Sequence, residues 1–278
     1  MFIPKRHFYN KRDYDLDFTQ KVMVLRPAFH EKLRNKTLWN KFGFKKITGT
    51  LVGDVLEVDE FKSQFAAFAK IAWCGLPVLD RKYVDAGIAI EPMVIAALRQ
   101  VTHKAIETFD AAQYDYDYFR DRDPVLGGIP DGFITADRII LEVKTTGEKN
   151  YHNWNLYGIP PAYLKQAQIY TYLMGVREYW IVATFLKEED YARPHEFPIR
   201  ARRLKNYRFQ IHPAQVEDDI QTIKTWYAHY TQTGISPPWD DLKDQDLLAY
   251  LQCEDETQYR HLLEQWKQEG KYVEPPAP

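Results

Sequence analysis

The residues best suited to chemistry in this sequence are Asp131, Glu142 and Lys144, within the stretch Ile129-Pro130-Asp131-Gly132-Phe133-Ile134-Thr135-Ala136-Asp137-Arg138-Ile139-Ile140-Leu141-Glu142-Val143-Lys144. Phe133 and Ile134 favour a strand, Ala136 to Arg138 forms the polar break of a tight turn, and Ile139 to Val143 is an apolar run short enough for a buried strand. Side chains alternate along a strand, so Glu142 and Lys144 share one face and Val143 takes the other. Hairpin pairing then brings Asp131, on the first strand, towards them at one edge of a sheet. Burying such groups is costly unless they pair or bind a metal. Two converging carboxylates are hard oxygen ligands suited to magnesium, which keeps several waters and needs only one or two protein carboxylates. A neighbouring lysine can hold or activate the attacking water and stabilise a pentacovalent phosphate, so the chemistry indicated is metal-assisted phosphodiester hydrolysis. The same spacing also suits an ion pair on an edge strand with Asp131 capping a turn, and the residues alone leave both readings open.

The surrounding elements decide what meets this hairpin. Glu91 and Pro92 lead into Met93–Arg99, where apolar positions at 90, 94, 95, 97, 98 and 101 fit one face of a helix with Pro92 in its first turn. An acid there suits the positive helix end, and it also stands where a third metal-site acid would be required. A strand is expected around 113–119, a turn at Gly127-Gly128, and a polar aromatic loop near substrate from Gly147 to Gly158. Pro160 and Gly175 bracket a helix on which Gln166 and Tyr170 lie on one face, and Tyr179–Leu186 reads as the next strand. A charged loop at 187–199, a strand near 207–211, a helix over 213–231, a surface helix pair within 241–272 and a frayed Pro-rich tail complete the chain. Upstream, Ile47-Thr48-Gly49-Thr50 is a small-residue turn before a helical stretch from Phe61 to Trp73; its amides can meet a phosphate or simply pack. Residues 1–46 read as an irregular basic and aromatic wrap with a helix around 28–40, from which Arg26, Arg34 and Lys36 can contact DNA.

Composition narrows the class. The chain has 278 residues, 45% hydrophobic and 15% aromatic, enough for one large domain or a core with an appendage. Net charge is −2, but residues 1–50 hold twelve Lys or Arg against four acids and residues 213–278 hold five against thirteen. A basic amino-terminal segment suits a phosphate backbone, and an acidic end suits a solvated helical face. Two distant cysteines, Cys74 and Cys253, exclude a disulfide framework or a Cys-based zinc site. No apolar run reaches membrane-span length and no secretory core follows Met1, so a soluble, cytoplasmic protein is expected.

Pro130-Asp131 followed by Glu142-Val143-Lys144 resembles the PD-(D/E)XK nuclease signature, and the αβββαβ order of helix, three strands, helix and strand is the mixed α/β core expected of that restriction-endonuclease-like fold. Gln166 and Tyr170 resemble the Gln-x-x-x-Tyr pattern of RecB-like and lambda-exonuclease-like branches. The Ile-Thr-Gly-Thr turn, Gly87 to Pro92, Tyr163-Leu164-Lys165-Gln166-Ala167-Gln168 and Pro237-Pro238-Trp239-Asp240 are similar to the lambda-exonuclease-like, YqaJ-type viral recombinase family. The resemblance spans about 45–240 and gives a nuclease domain over 47–240, a packed segment over 1–46 and a helical extension over 241–278. It implies that Asp131, Glu142 and the Val143 carbonyl bind Mg2+, with Mn2+ as a substitute. It further implies that Glu91 supports the metal or its waters, Lys144 assists the water, Gln166 positions the lysine or substrate, and Tyr170, Thr48 and Thr50 serve substrate binding, while Arg26 and Arg34 are substrate-binding candidates from the basic segment that precedes it. The implied activity is magnesium-dependent exonucleolytic removal of nucleotides from the 5′ strand of linear duplex DNA in phage recombination, by a trimer with a single-strand annealing partner. Family members often carry serine near 48–50, where this chain has Thr48, Gly49 and Thr50. A restriction-type endonuclease on the same core and a catalytically inactive DNA-binding protein are the alternatives.

Overall fold

Alternation along Ile139–Val143 governs how the four-stranded sheet of the protein is layered. The computed structural model describes residues 3–35 and 42–275. In chain order it contains strands β1 (Tyr14–Asp17) and β2 (Val22–Leu25), helix α1 (Pro27–Arg34), strand β3 (Ile47–Thr48) and helices α2 (Gly49–Val55), α3 (Gln64–Ile71) and α4 (Lys82–Thr102). There follow β4 (Leu126–Gly127), β5 (Gly132–Ile134), β6 (Ile139–Gly147), α5 (Asn150–Tyr157), α6 (Pro161–Leu173), β7 (Glu178–Leu186), α7 (Glu188–Ala192) and β8 (Arg203–Gln210). Helices α8 (Pro213–Thr233), α9 (Gln245–Gln252) and α10 (Glu256–Gln268) come last. The chain forms two compact units, one from Met1–Ile47, Asp54–Arg81 and Thr222–Pro278, the other from Thr48–Gly53 and Lys82–Gln221.

The second unit is built on a four-stranded mixed sheet of order β5-β6-β7-β8. β6 runs antiparallel to β5 and parallel to β7, and β8 returns antiparallel on the outer edge. Parallel neighbours need a crossover, which α5 and α6 supply. Ile139, Leu141 and Val143 of β6, with Trp180 and Val182 of β7, bury one face against Ala86, Ile90, Val94, Ile95 and Leu98 of α4. The opposite face carries Glu142 and Lys144 towards α6. The order α4, β5, β6, α6, β7 retains the helix, strand pair, helix and strand of the expected core.

Four expectations are corrected. No strand lies at 113–119: Asp115 and Tyr116 have φ of 48° and 63°, and the Asp117 carboxylate accepts from the amides of Phe119 (3.1 Å) and Gly128 (2.9 Å), so turn chemistry overrides the β propensity of the tyrosines. The strand falls instead at Leu126–Gly127, where a turn was expected, and pairs with β3. Helix α4 begins at Lys82, placing Pro92 inside it. Continuous burial of Ala86, Ile90 and Val94 on both sides of the proline offsets a penalty of about 3 kcal/mol, and Glu91 therefore sits mid-helix, away from the positive end. The segment after Gly147 is helix α5, held by one anchor, Trp154, whose ring meets Phe185 (5.7 Å), Tyr163 (5.9 Å) and Tyr207 (6.2 Å). A short helix with one buried side chain takes its stability from tertiary packing and leaves little periodicity to read.

Differences elsewhere are smaller. The strand expected near 207–211 is the polar outer strand Arg203–Gln210, and α7 occupies part of the expected loop at 187–199. Of the helix expected around 28–40, α1 supplies Pro27–Arg34, while Lys36 and residues 37–41 lie outside the described residues, as do 276–278 of the expected tail. Helices α6, α8, α9 and α10 and strand β7 fall where periodicity and Pro/Gly punctuation put them. Among the described residues no helix is long and apolar enough to cross a membrane.

The first unit shows why the ends of the chain carry opposite charge. Lys11 pairs with Glu254 at 2.6 Å and Lys21 with Asp241, joining the basic start to the acidic end. Arg6 is locked among tyrosines: its guanidinium lies 4.0 Å from the centroid of the Tyr250 ring and 4.6 Å from that of Tyr9, and donates to the Tyr14 hydroxyl (2.8 Å) and the Tyr250 carbonyl (2.6 Å). The Tyr14 hydroxyl donates in turn to the Leu251 carbonyl at 2.9 Å. Ser236 accepts the Met23 amide at 2.8 Å, and Trp239 packs against Phe65 at 5.6 Å, so Ser236–Trp239 serves this core. Part of the amino-terminal basic charge is thus spent on structure. Arg6→Ala should lower the unfolding free energy by about 2–4 kcal/mol, against less than about 0.5 kcal/mol for exposed Lys5→Ala, measured by urea denaturation; equal midpoints for the two variants would remove the structural role of Arg6.

Candidate active site

Strand β5 is three residues long, and its shortness makes the site. Phe133 exchanges both backbone hydrogen bonds, each 2.8 Å, with Glu107 on its outer side, so Gly132 and Ile134 face β6 and pair with Leu141 and Ile139. The next β6 residue turned to that edge is Val143. β5 no longer reaches it, and the Val143 amide donates instead to Asp131 Oδ2 at 2.7 Å. In such a ladder the Val143 carbonyl leaves on the same edge, beside the Asp131 carboxylate.

Glu142 lies on the α6 side of the strand and is wholly buried. Its Oε2 accepts from Lys144 Nζ at 2.9 Å, while Oε1 is buried with no hydrogen-bond partner. Lys144 Nζ also donates to Gln166 Oε1 at 3.2 Å and stands 5.1 Å from the centroid of the Tyr163 ring. Burial, then Asp131, push the Glu142 carboxyl up to about 8, with Lys144 opposing. Glu91, half-buried on α4, is pushed to about 7 by burial and by Asp131, with Lys144 again opposing. Asp131 is raised by burial against the pull of Lys144 and the Val143 amide. Burial works against the charge of Lys144, but Glu142 and Asp131 outweigh it and hold its pKa above the ordinary lysine value. Three carboxyl groups therefore share one ammonium.

This arrangement suits a divalent cation. A buried carboxylate oxygen without a donor is a costly vacancy of charge that a hard cation fills, and Glu142 Oε1, the Asp131 carboxylate and the Val143 carbonyl are all oxygen donors. Among the described residues no three His, Cys, Asp or Glu side chains already stand as a ligand set. Magnesium does not need one, since waters complete its shell.

Helix α6 fixes the other wall. Gln166 and Tyr170 are buried on its sheet-facing side. The Tyr170 hydroxyl accepts the Gly49 amide at 3.1 Å. A Cβ on Gly49 would stand 2.5 Å from Gln166 Cγ, and one on Gly128, whose φ is +133°, would stand 2.1 Å from the Tyr170 hydroxyl. Only glycine fits both positions, so Tyr170 anchors the 48–50 turn from below. Thr48 is half-buried and Thr50 exposed, their hydroxyl oxygens 3.4 Å apart.

The sheet unit thus gathers Glu91, Asp131, Glu142, Val143, Lys144 and Gln166, with Tyr170, Thr48 and Thr50 alongside. Arg26 and Arg34 belong to the other unit. Arg26 is held by Asp15 through two hydrogen bonds of 2.9 and 2.8 Å, and Arg34 is exposed on α1. Tyr163, whose ring faces Lys144, entered the sequence reading only within the motif at 163–168, and Gly128 only as part of an expected turn.

Residues 38–177 match the family described as the YqaJ-like viral recombinase domain. The chain is similar to the uncharacterized protein MG373 of Mycoplasma genitalium, 28% identical over 271 residues covering 83% of this chain and 94% of the relative, and to its homolog in Mycoplasma pneumoniae at 25% with the same coverage. Its fold is similar to that of LHK-Exo in complex with dAMP, the alkaline exonuclease of Laribacter hongkongensis, with a TM-score of 0.51 and 16% identity over 74% of this chain and 92% of that one. A phage-related exonuclease from Haemophilus somnus gives a TM-score of 0.50 with 12% identity over 68% and 95% of the two chains.

The raised carboxyl groups fix a sign for stability. Between the ordinary glutamate value of about 4.5 and the folded value of about 8, the folded state keeps a proton on Glu142 that the unfolded chain releases. Rising pH through that window therefore favours unfolding. With chelator present, wild-type stability should fall by about 2 kcal/mol or more from pH 5 to 9, Glu142→Gln should show a shallower fall, and magnesium should restore wild type more than the variant. Parallel stability curves for the two proteins, followed by chemical denaturation, would show that Glu142 does not carry this proton.

Proposed function

The chain belongs to the YqaJ-like viral recombinase domain family and is a nuclease; on that premise we propose that it hydrolyses phosphodiester bonds at the ends of linear duplex DNA, with magnesium, in the 5′ to 3′ direction. The observation that carries this reading is the buried, partnerless Glu142 Oε1 on the same strand as a lysine held by Glu142 and Gln166.

Asp131, Glu142 and the Val143 carbonyl hold the divalent cation, which when bound supplies Lewis-acid stabilisation of the scissile phosphate. Glu91 orients water at the mouth of the site, its carboxyl raised by burial and by Asp131 while no cation is bound. Lys144 places a positive charge where the phosphate gains negative charge, and Gln166 fixes the direction of its Nζ. Burial of Glu142 and Lys144 keeps bulk water from screening these charges. Thr48 and Thr50 contact the 5′ end of the substrate, and Tyr170 holds their turn in place. Arg26 and Arg34 give further DNA contacts. A trimer and a single-strand annealing partner complete the reading by family resemblance. The alkaline exonuclease and the phage-related exonuclease named above support end-dependent digestion over restriction-type cutting.

Matched linear and covalently closed circular duplexes, incubated with magnesium and with chelator, test the reading. Metal-dependent loss of the linear form alone is expected, and discrete cuts in the circle would replace it with an endonuclease. Lys144→Ala should lower cleavage by about 100-fold or more, with DNA affinity within about threefold of wild type, because it removes help given mainly in the transition state. Ordinary turnover by that variant would sink the assignment of Lys144.

A further inference from the structure

The most basic stretch of the sheet unit lies outside the cluster just described. Residues 193–208 hold six Arg or Lys and one acid, Glu196. Three of these six charges are engaged within the fold. Arg193 pairs with Glu196 at 3.1 Å, Arg202 with Asp190 at 2.7 Å and Glu189 at 2.9 Å, and the Arg208 guanidinium lies 4.4 Å from the centroid of the Trp180 ring. Arg203 and Lys205 have no carboxylate partner among the described residues. The acids of α7 are committed elsewhere, Glu189 and Asp190 to Arg202 and Glu188 to Lys82.

Strand register puts these two cations on the catalytic face. Lys144 of β6 pairs with Ala183 of β7, and Ala183 pairs with Lys205 of β8. Thr146, Phe185 and Arg203 form the adjacent row. Two strand spacings separate Lys205 from Lys144, about 10 Å along one row of the sheet. Directly opposite residues share a face, so Lys205 and Arg203 emerge on the side of Glu142 and Lys144.

Both cations are mounted on aromatic rings. The Arg203 guanidinium lies 4.6 Å from the centroid of the Tyr151 ring. Lys205 Nζ lies 4.6 Å from that of Tyr207 and bonds to Asn155 Oδ1 on α5. Helix α5 links the patch to the site, since Trp154 touches both Tyr207 and Tyr163, and Tyr163 faces Lys144. At the end of α5, Tyr157 is 85% exposed. Cations held in place on rings suit the phosphates of a nucleic-acid strand, and an exposed ring at the end of the same helix suits a base.

We propose that α5 and the outer strand β8 form a track for the substrate DNA strand running away from the catalytic cluster, with Arg203 and Lys205 on its phosphates and Tyr157 against a base. The track rests on the nuclease reading and adds a contact surface to it. It holds the strand within a few nucleotides of Lys144 and makes binding dependent on salt through these two cations.

The test uses full-length protein carrying Lys144→Ala, with magnesium and a fluorescein-labelled linear duplex bearing a 3′ overhang, followed by anisotropy across a sodium chloride series. Adding Arg203→Ala and Lys205→Ala should weaken binding about tenfold or more at 150 mM salt and reduce the slope of log affinity against log salt by roughly 1.5, the loss of two phosphate contacts. Arg193→Ala with Arg260→Ala removes the same charge elsewhere and should change affinity by less than about twofold. Tyr157→Ala should weaken binding with the slope unchanged. If the alanine pair unfolds, Arg203→Gln with Lys205→Gln replaces it, with the same expectation. An unchanged slope for the Arg203/Lys205 variant, an equal loss in the control pair, or an altered oligomeric state in sedimentation without a slope change would overturn the track. The nuclease reading fails separately, if the protein with Lys144 intact cuts no DNA with magnesium or manganese; an active nuclease with a silent patch overturns the track alone.

Discussion

A carboxylate buried on a central strand, with one oxygen bound to lysine and the other bound to nothing, is the constraint from which the rest of the sheet unit follows. Glu142 is wholly enclosed, so its charge is tolerable only beside a cation. Lys144 supplies one, held in turn by Gln166. With Asp131 and Glu91 coupled to the same ammonium, the metal-free site carries more acid than it can hold ionised, and the acids respond by keeping protons. The stability given up here is recovered in the apolar layer on the opposite face, where Val143 joins Leu141, Trp180 and Val182 under α4. Placing acids and base on alternate positions of one strand lets a single element serve both faces.

Precision comes from close backbone approach. Gly49 and Gly128 admit the Tyr170 hydroxyl at distances that no side chain would permit, and that hydroxyl ties the turn around Thr48 and Thr50 to the helix that carries Gln166. The turn around Thr48 and Thr50 and the glutamine bonded to Lys144 thus hang from one helix. Overpacked sites of this kind move little, which keeps the lysine and the turn in register.

Charge is distributed by the same logic. The basic amino-terminal stretch meets the acidic carboxy-terminal helices within one unit, through pairs such as Lys11–Glu254, and is partly neutralised there. Arg203 and Lys205 on β8 stand without carboxylate partners among the described residues. Stacking on Tyr151 and Tyr207 holds them in defined positions, so their contribution to binding carries less entropic cost than that of free surface lysines.

Local signals in the sequence were enough to place the candidate site residues and the elements that carry most of them. Alternation put Glu142 and Lys144 on one face, the Pro-to-Gly bracket placed α6, helical spacing paired Gln166 with Tyr170, and the apolar periodicity around Glu91 called for a helix. These signals are local, carried by residues within a turn or a strand of one another. Tertiary structure decided what local signals cannot hold. Packing on both sides of Pro92 extended α4 and moved Glu91 to mid-helix; side-chain capping by Asp117 turned an expected strand into a turn; one anchor, Trp154, made α5 a helix. The partnerless oxygen of Glu142, the glycine clamp on Tyr170 and the row joining Lys144 to Lys205 each depend on residues tens of positions apart being brought within a few ångströms, and only the folded sheet fixes that register.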